Sequence, residues 1–370
     1  MAGNSGQKKR GLGRFLFGLT ARSLMLMNAG VLILSYLSLY VNPAKAWFMT
    51  IFGLLFFLFL LSNLFLLFWA LKRRSRALVI PLLALLPSLL LIGRDVQFRG
   101  AGDEIPSDAV RVVSYNVGKF SMFPEHSATK SEGQCADSVF AFLRRSDADI
   151  ISLQEIRAPK GVSVKEWLQD YMPGYEIEYF TNVDELGAYG NATLSRFPVV
   201  RKGKFDFEHS SNMTLYTDID TGEGEFRVYN CHFESYNISV PRLVKGITRN
   251  DGEILEQAEE KIRTSITRRP EQVDIVLQDI RNSPVESIVT GDFNDTPMSY
   301  TYTQLRRGRK DSFVEAGKGL GGTYSALWPF IRIDYVLYPE KFTAVSHKVA
   351  KVRWSDHYPI VTDLGPVLND

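Results

Sequence analysis

The first 94 residues contain no aspartate and no glutamate, and the whole chain of 370 residues has two cysteines and five histidines. A quarter of a chain without one acid is not an ordinary soluble domain. Two cysteines, Cys135 and Cys231, exclude a disulfide scaffold, and their separation fits no zinc motif. They read as two buried thiols, or as one bridge if this part faces an oxidising compartment. The sequence also lacks internal repeats and low-complexity tracts, which excludes a solenoid and a disordered chain.

What is present in the first quarter is basic and apolar. It holds 11 Lys and Arg, leaving 32 of the 43 basic residues to face all 41 acids in the rest, a charge of −9. Three apolar runs stand out, at 24–41, 46–71 and 77–92. About 20 apolar residues are needed to cross a bilayer, and roughly 17 can suffice. The second run is the longest. The third is short and holds Pro81 and Pro87, so it reads as a span or as a re-entrant element. A basic n-region precedes the first run, yet that run is long and the second follows after four residues, so an uncleaved helix is expected rather than a signal peptide. No charge interrupts the runs, so they read as a tether and not as a transport path. Basic residues flank them at the N-terminal tail and at Lys72-Arg73-Arg74-Ser75-Arg76. Positive loops stay inside. The expectation is an integral membrane protein with a cytoplasmic N-terminus, an anchor over 1–94 and a linker over 95–107. If the third run spans, the domain at 108–370 is extracytoplasmic.

After the linker, strand-like and helix-like segments alternate, as in an α/β sandwich with strands inside. Strands are expected at Val110–Tyr115, Asp149–Leu153, Ala192–Leu194, Phe226–His232, Ser287–Thr290, Ile331–Leu337 and Tyr358–Asp363. Helices are expected at Gln134–Arg145 and over Ser239–Ile280, interrupted at Pro270. Polar residues recur at the strand ends: Asn116, Gln154-Glu155, Asn230-Cys231-His232, Asp292-Phe293-Asn294, Asp334 and Asp356-His357. One such residue is more often a turn former or helix cap. Six such ends in one domain with five histidines are not explained by turns. Loops at the ends of packed strands are where a scaffold presents function.

Tyr115-Asn116, Leu153-Gln154-Glu155, Gly190-Asn191-Ala192, Leu194 to Pro198, Asn230-Cys231-His232-Phe233, Gly291-Asp292-Phe293-Asn294, Arg332-Ile333-Asp334-Tyr335 and Ser355-Asp356-His357 together resemble the endonuclease/exonuclease/phosphatase superfamily, also called DNase I-like. The chain looks like a membrane-anchored bacterial-type member. The resemblance implies a four-layer α/β sandwich, here preceded by a bundle of two to three transmembrane helices, and metal-dependent phosphoester hydrolysis. It implies metal ligation by Glu155, with Asn116 supplying a neutral oxygen and Asp356 a further one. Mg²⁺ is the default, and Mn²⁺ suits the same oxygens. Asp292 and Asn294 would orient water and contact the phosphoryl group, their i, i+2 spacing placing both on one side of an extended segment. His357, held by Asp334, and His232 are the two histidine positions, with acid and base not assigned between them. Asn230, His232 and Asn294 are the phosphate-binding candidates. Val117-Gly118 departs from the pattern where some nuclease members carry a carboxylate. Tyr189 is read as a rim or core residue, Arg196 as structural, and His126, His209 and His347 as surface or structural. Gly319 to Tyr324 reads as a flexible loop near the site.

The substrate is expected to be a phosphoester: a lipid headgroup, a nucleic acid or a small molecule. A tether beside a bilayer favours the first, and a charge of −9 lacks the usual basic footprint for nucleic acid. An extracytoplasmic nuclease and a non-catalytic membrane adaptor are the competing readings. No protein partner is implied. The mixed charges from Lys245 to Arg269 read as a solvated face.

Overall fold

Leucine and phenylalanine dominate the first quarter, and they form helices: α1 (Asn4–Leu37), α2 (Phe48–Leu54), α3 (Phe56–Lys72), α4 (Val79–Leu85) and α5 (Ser88–Leu91). The structure, a computed structural model, describes residues 4–98, 100, 104–121, 132–236, 240–327 and 329–366. The chain divides into two units, Met1–Ile92 with Met298–Tyr300, and Gly93–Pro297 with Thr301–Asp370.

In the first unit, Gly18–Leu37 and Arg76–Arg94 are each long and apolar enough to cross a membrane. The longest run, 46–71, is two helices, α2 and α3, bent by 60°. Gly53 lies at the end of α2, where low helix propensity favours a break. The prolines of the third run do less damage than expected. Pro81 lies in the first turn of α4 and Pro87 caps α5, positions whose N–H has no helical partner anyway. Polar groups tie these helices together. Ser62 Oγ donates to Asn28 Oδ1 at 2.6 Å, and Asn63 Nδ2 donates to the Asn28 carbonyl at 3.0 Å.

The second unit contains strands β1 (Val96–Gln97), β2 (Val110–Asn116), β3 (Ile150–Pro159), β4 (Glu176–Asp184), β5 (Gly187–Ser195), β6 (Val199–Asp206), β7 (Met213–Asp220), β8 (Glu225–His232), β9 (Ser287–Asp292), β10 (Lys310–Asp311), β11 (Gly319–Leu320), β12 (Asp334–Tyr338), β13 (Phe342–Val349) and β14 (Ile360–Pro366). Its helices are α6 (Glu132–Ser146), α7 (Val164–Tyr171), α8 (Val240–Arg249), α9 (Gly252–Asn282), α10 (Tyr300–Arg306) and α11 (Ser312–Ala316). Two six-stranded sheets form, in the orders β13-β14-β2-β3-β5-β4 and β10-β12-β9-β8-β7-β6. In each, one neighbouring pair is parallel, β2 with β3 and β8 with β9. The crossovers carry α6 and α8–α9, as parallel pairing requires. The result is the four-layer α/β sandwich of the DNase I-like fold.

Alternation along the strands positions everything that follows. Val113 and Tyr115 pack outward with Val139, Phe140 and Leu143 of α6. Tyr229, Cys231 and Val289 pack outward with Val273 and Val276 of α9. Val112, Ile150, Val228, Ile288 and Val336 point inward and fill the space between the sheets. The next inward residues are polar and pair across it. Thr290 Oγ1 donates to Ser152 Oγ at 2.8 Å, and Gln154 Nε2 donates to Asn230 Oδ1 at 2.8 Å. One step further, the inward residues are Asn116, His232 and Asp292.

Some expectations need correcting. Glu176–Asp184, Val199–Asp206, Met213–Asp220 and Phe342–Val349 are strands that apolar content did not indicate. β6 alternates exposed charge with part-buried residues, as an edge strand does. The helix break falls at Asn250 and not at Pro270. Asn250 takes φ 49°, and Asp251 caps α9 by accepting from the Ile254 N–H at 3.2 Å. The segment read as a plain linker contains β1, which pairs with β11. The glycine segment is correspondingly tied down: Thr323 is fully buried and its Oγ1 accepts from the N–H groups of Ile333 and Asp334.

Candidate active site

Pairing register brings the strand ends together. His232 lies opposite Asp292 in the parallel β8–β9 ladder, and Asp334 lies opposite Asp292 in the antiparallel β9–β12 ladder. Gly291, at φ 124°, permits the close approach, since a Cβ there would meet the Cys231 carbonyl oxygen at 1.9 Å. Asn116 arrives from the other sheet and donates through Nδ2 to Asp292 Oδ2 at 2.9 Å and to Glu155 Oε1 at 3.2 Å.

Glu155 reaches this point only because β3 is irregular. Simple alternation would send it outward, away from Gln154. The ladder with β5 shifts register between Leu153 and Ile156, and Glu155 takes φ 53°. A bulge with a left-handed non-glycine residue re-aims the carboxylate, at a cost of about 1–3 kcal/mol. Gly118 is also left-handed, at φ 54°, and a Cβ there would stand 3.2 Å from both Asp356 Oδ1 and Ser355 Oγ. That crowding explains why this chain has no carboxylate at 118, and it places Asp356 beside the Asn116 turn. Ser355 Oγ donates to the Asn116 carbonyl at 2.7 Å.

The two histidines differ. His357 Nδ1 lies 2.9 and 3.2 Å from the Asp334 oxygens, and its Nε2 is 3.6 Å from Asp292 Oδ2. Burial opposes the imidazolium, but Asp334 and Asp292 outweigh it and hold His357 well above the usual histidine range. His232 Nε2 is buried without a hydrogen-bond partner, 3.5 Å from Glu155 Oε1 and 3.8 Å from Asp292 Oδ2. Burial, reinforced by Asp334, pushes Asp292 up to about 6, against the opposing pull of His357, His232 and Asn116. Burial would also raise Glu155, but His232, Lys119 and the Asn116 amide hold it below the usual glutamate range.

At three of the expected positions the polar atoms are engaged within the fold. Asn116 turns its nitrogen toward the carboxylates, and its oxygen accepts from the Gly118 N–H at 3.0 Å, so it supports them rather than offering an oxygen ligand. Asn294 does not lie on an extended segment. It has φ 51°, its N–H donates to Asp292 Oδ1 at 2.8 Å, and its Nδ2 donates to the Phe233 carbonyl at 2.9 Å. The Asx-turn and the site are thus one structure, and Asn294 positions Asp292. Asn230 is completely buried below the site. It accepts from Gln154 and donates to the carbonyls of Leu153 and Ala192, so none of its polar atoms faces a ligand.

Two residues at the site carried no motif. Lys119 places Nζ 4.0 Å from Glu155 Oε2 and 5.7 Å from the Tyr189 ring centroid. Tyr324 stands edge-on to His357 at 5.4 Å and bridges it in the backbone. Neither has a local sequence signal beyond adjacent glycines. Arg196 pairs with Asp147 and Asp149. His209 is exposed, His347 bonds Ser312 and Thr362, and His126 lies outside the described residues. Cys135 and Cys231 are buried and form no disulfide.

Ligand atoms of Asp292, Asp334 and His357 all lie within 4.8 Å of one another. Distance would admit a cation there, but both Asp334 oxygens already face His357 Nδ1. Glu155 fits a hard cation better: its carboxyl is held below the usual glutamate range, its side chain is 27% exposed, and Oε2 lies 4.0 Å from Lys119 Nζ.

Residues 113–357 match the family model described as Endonuclease/Exonuclease/phosphatase family. Residues 15–94 match a second model, a domain of unknown function (DUF8431). No curated protein matches the chain. Among solved structures, the chain is similar to an endonuclease/exonuclease/phosphatase from Beutenbergia cavernae, with 20% identity, a TM-score of 0.50, and coverage of 70% of this chain and 72% of that one. It is also similar to the human Nocturnin catalytic domain, solved with a bound sulfate anion, with 15% identity, a TM-score of 0.50, and coverage of 71% and 97%. At these identities the likeness concerns the fold.

Proposed function

The chain belongs to the endonuclease/exonuclease/phosphatase family, and from that premise we propose that it is a membrane-tethered, divalent-metal-dependent phosphoester hydrolase. One observation carries the proposal. Asn116, Glu155, His232, Asp292, Asp334 and His357, far apart in sequence, meet within hydrogen-bonding or ion-pairing distance, three carboxylates against two imidazoles.

Glu155, with Asp356 beside the same turn, would hold a divalent cation, Mg²⁺ by default, which when bound neutralises phosphate charge and polarises the P–O bonds. The remaining chemistry belongs to the side chains. Asp292, fixed by Asn116 and the Asn294 N–H, orients a water in line with the scissile bond and accepts its proton. His357, kept cationic by Asp334, donates from Nε2 to a phosphoryl oxygen whose charge grows in the transition state. His232 presents an unpaired Nε2 to the same space, suited to a second phosphate oxygen or to the leaving group. The bound sulfate in the Nocturnin structure is compatible with this anion-directed reading.

The tether in this reading is supported by the apolar helices, and the basic residues at the N-terminal tail and at Lys72 to Arg76 support a cytoplasmic N-terminus. Gly18–Leu37 and Arg76–Arg94 are each long enough to cross, and if the bent pair forms one further span, three crossings from a cytoplasmic N-terminus would leave the domain outside the cytoplasm.

The test uses the full chain in detergent with Mg²⁺ or Mn²⁺, assayed in parallel on a generic monoester, a generic diester, plasmid DNA and phospholipid vesicles. Turnover of at least one substrate is expected. EDTA should abolish it, and Asp292→Asn should lower it by about 10²–10⁴-fold. A folded protein without turnover across the panel with either metal would remove the proposal.

A further inference from the structure

Helix α8 is apolar on one side and basic on the other. In the sequence, Val240, Leu243, Val244 and Ile247 recur at helical spacing, Arg242, Lys245 and Arg249 take the opposite side, and Val240–Arg249 contains no acid. Among the described residues of the apolar face, Val244 and Ile247 are 52% and 62% exposed. Lys245 and Arg249 are exposed as well. Contact with the rest of the fold runs through Gly246, where a Cβ would come 2.7 Å from the Ile254 side chain of α9. The projecting part of α9 carries Glu253, Glu256, Glu259 and Glu260 with Lys261 and Arg263, so the acids of this region lie on α9 and none on α8.

The position of α8 matters as much as its composition. The chain from His232 leads directly into it. α9 meets the sandwich at Ser265, whose Oγ donates to the Ser235 carbonyl, and at Arg269, which donates to the Glu234 carbonyl. Both partners lie just past the catalytic end of β8. The residues of α9 before Ser265 therefore project beyond that end by roughly 20 Å at 1.5 Å per residue. α8 packs on this projecting part. On the neighbouring sheet, the β4–β5 turn at the same end exposes Val183 and Leu186.

We propose that α8 is an interfacial docking helix whose occupant is an anionic phospholipid surface, with Val244 and Ile247 entering between headgroups and Lys245 and Arg249 facing their phosphates. A short helix with an apolar stripe, a basic polar face and low overall hydropathy lies in the plane of a bilayer interface. Helices long enough to cross a membrane in the same chain supply the bilayer. Docking of this arm holds the catalytic mouth against lipid. Taken with the hydrolase reading above, on which this consequence rests, it points to a phosphoester carried at a membrane surface.

The experiment uses the full chain in lipid nanodiscs. Cys135 and Cys231 are buried, so a fluorophore at Thr248→Cys reports on α8, and one at Glu223→Cys reports on an exposed turn at the opposite end of the sandwich. Nitroxide-labelled lipid should quench the Thr248 probe in discs containing phosphatidylglycerol and leave the Glu223 probe unquenched. Lys245→Glu with Arg249→Glu should reduce the quenched population about tenfold or more, at about 1 kcal/mol per basic residue near an anionic surface. Val244→Ser with Ile247→Ser should reduce it in all discs. Equal quenching in anionic and purely zwitterionic discs, or none in either, overturns the proposal. A Thr248 signal that rises with protein concentration without lipid quenching assigns the face to a second copy and also overturns it. Quenching without phosphoester turnover keeps the arm and removes the hydrolase reading; turnover without quenching does the reverse.

Discussion

Two buried charge clusters in the second unit use similar residues to opposite ends. Around Arg227 every partner is matched. Nε and Nη2 donate to the two Asp218 oxygens at 2.6 and 3.0 Å, Nη1 donates to Asp279 Oδ2 at 2.7 Å, and the Tyr229 hydroxyl donates to the same oxygen at 2.6 Å. The guanidinium also lies 3.7 Å from the Tyr216 ring centroid. At the strand ends, three carboxylates crowd two imidazoles, His232 Nε2 has no hydrogen bond, and Glu155 and Asn294 are held left-handed. A matched cluster ties β7, β8 and α9 together. An unmatched one retains charge and backbone strain that a ligand can relieve.

That contrast can be broken by crossing the two readouts. The largest effect is expected for His357→Asn: turnover should fall by about 10²–10⁴-fold, while the thermal melting midpoint stays within a few degrees of the parent. A large loss of stability with little loss of turnover would place the cluster with the fold instead. Next is Arg227→Met, which leaves Asp218 with Arg201 alone and Asp279 with the Tyr229 hydroxyl alone. It should destabilise by about 3–5 kcal/mol, seen as a lowered melting midpoint, with turnover per folded molecule preserved.

The smallest effect separates two histidines by pH. His347 bonds Ser312 and Thr362, and burial pushes it down to about 3. Its folded value lies below the unfolded one near 6.5, so the unfolded chain takes up the proton first. The stability it contributes is present above about pH 6.5 and declines as pH falls toward about 3. His357, shifted upward, has the opposite sign, contributing fully below about pH 6.5 and less as pH rises through its folded value. Between about pH 6.5 and pH 4, the melting midpoint of the parent should fall, and that of His347→Gln should fall less. A parallel decline in both would show that His347 is not the group responsible.

Much of the site was legible because apolar strands that end in Asn, Glu, His or Asp are visible one strand at a time. The apolar-in, polar-next, ionisable-last order of Val112, Ser114 and Asn116, or of Val228, Asn230 and His232, is a local pattern. What each polar atom does was not visible. Asn230 and His232 are two residues apart on one face, yet Asn230 is consumed by Gln154 and two carbonyls while His232 Nε2 is unpaired. The charged strands β6 and β7 were missed because an edge strand and its neighbour carry salt bridges such as Arg201 to Asp218 instead of an apolar run. The longest apolar run hid a 60° bend, since hydropathy measures composition and not the continuity of a helix.

Periodicity and charge segregation, written in neighbouring residues, determined an apolar basic first quarter and an α/β domain, and the resemblance carried by the strand-end motifs supplied the DNase I-like sandwich and the residues at its mouth. The tertiary structure decided the rest: the bulge that turns Glu155 inward, the direction of the Asn116 amide, and the arm that carries α8 past the catalytic end. These depend on ladder registers and hydrogen bonds between residues tens to hundreds of positions apart, such as Asn116 with Asp292. No local window of sequence encodes that pairing.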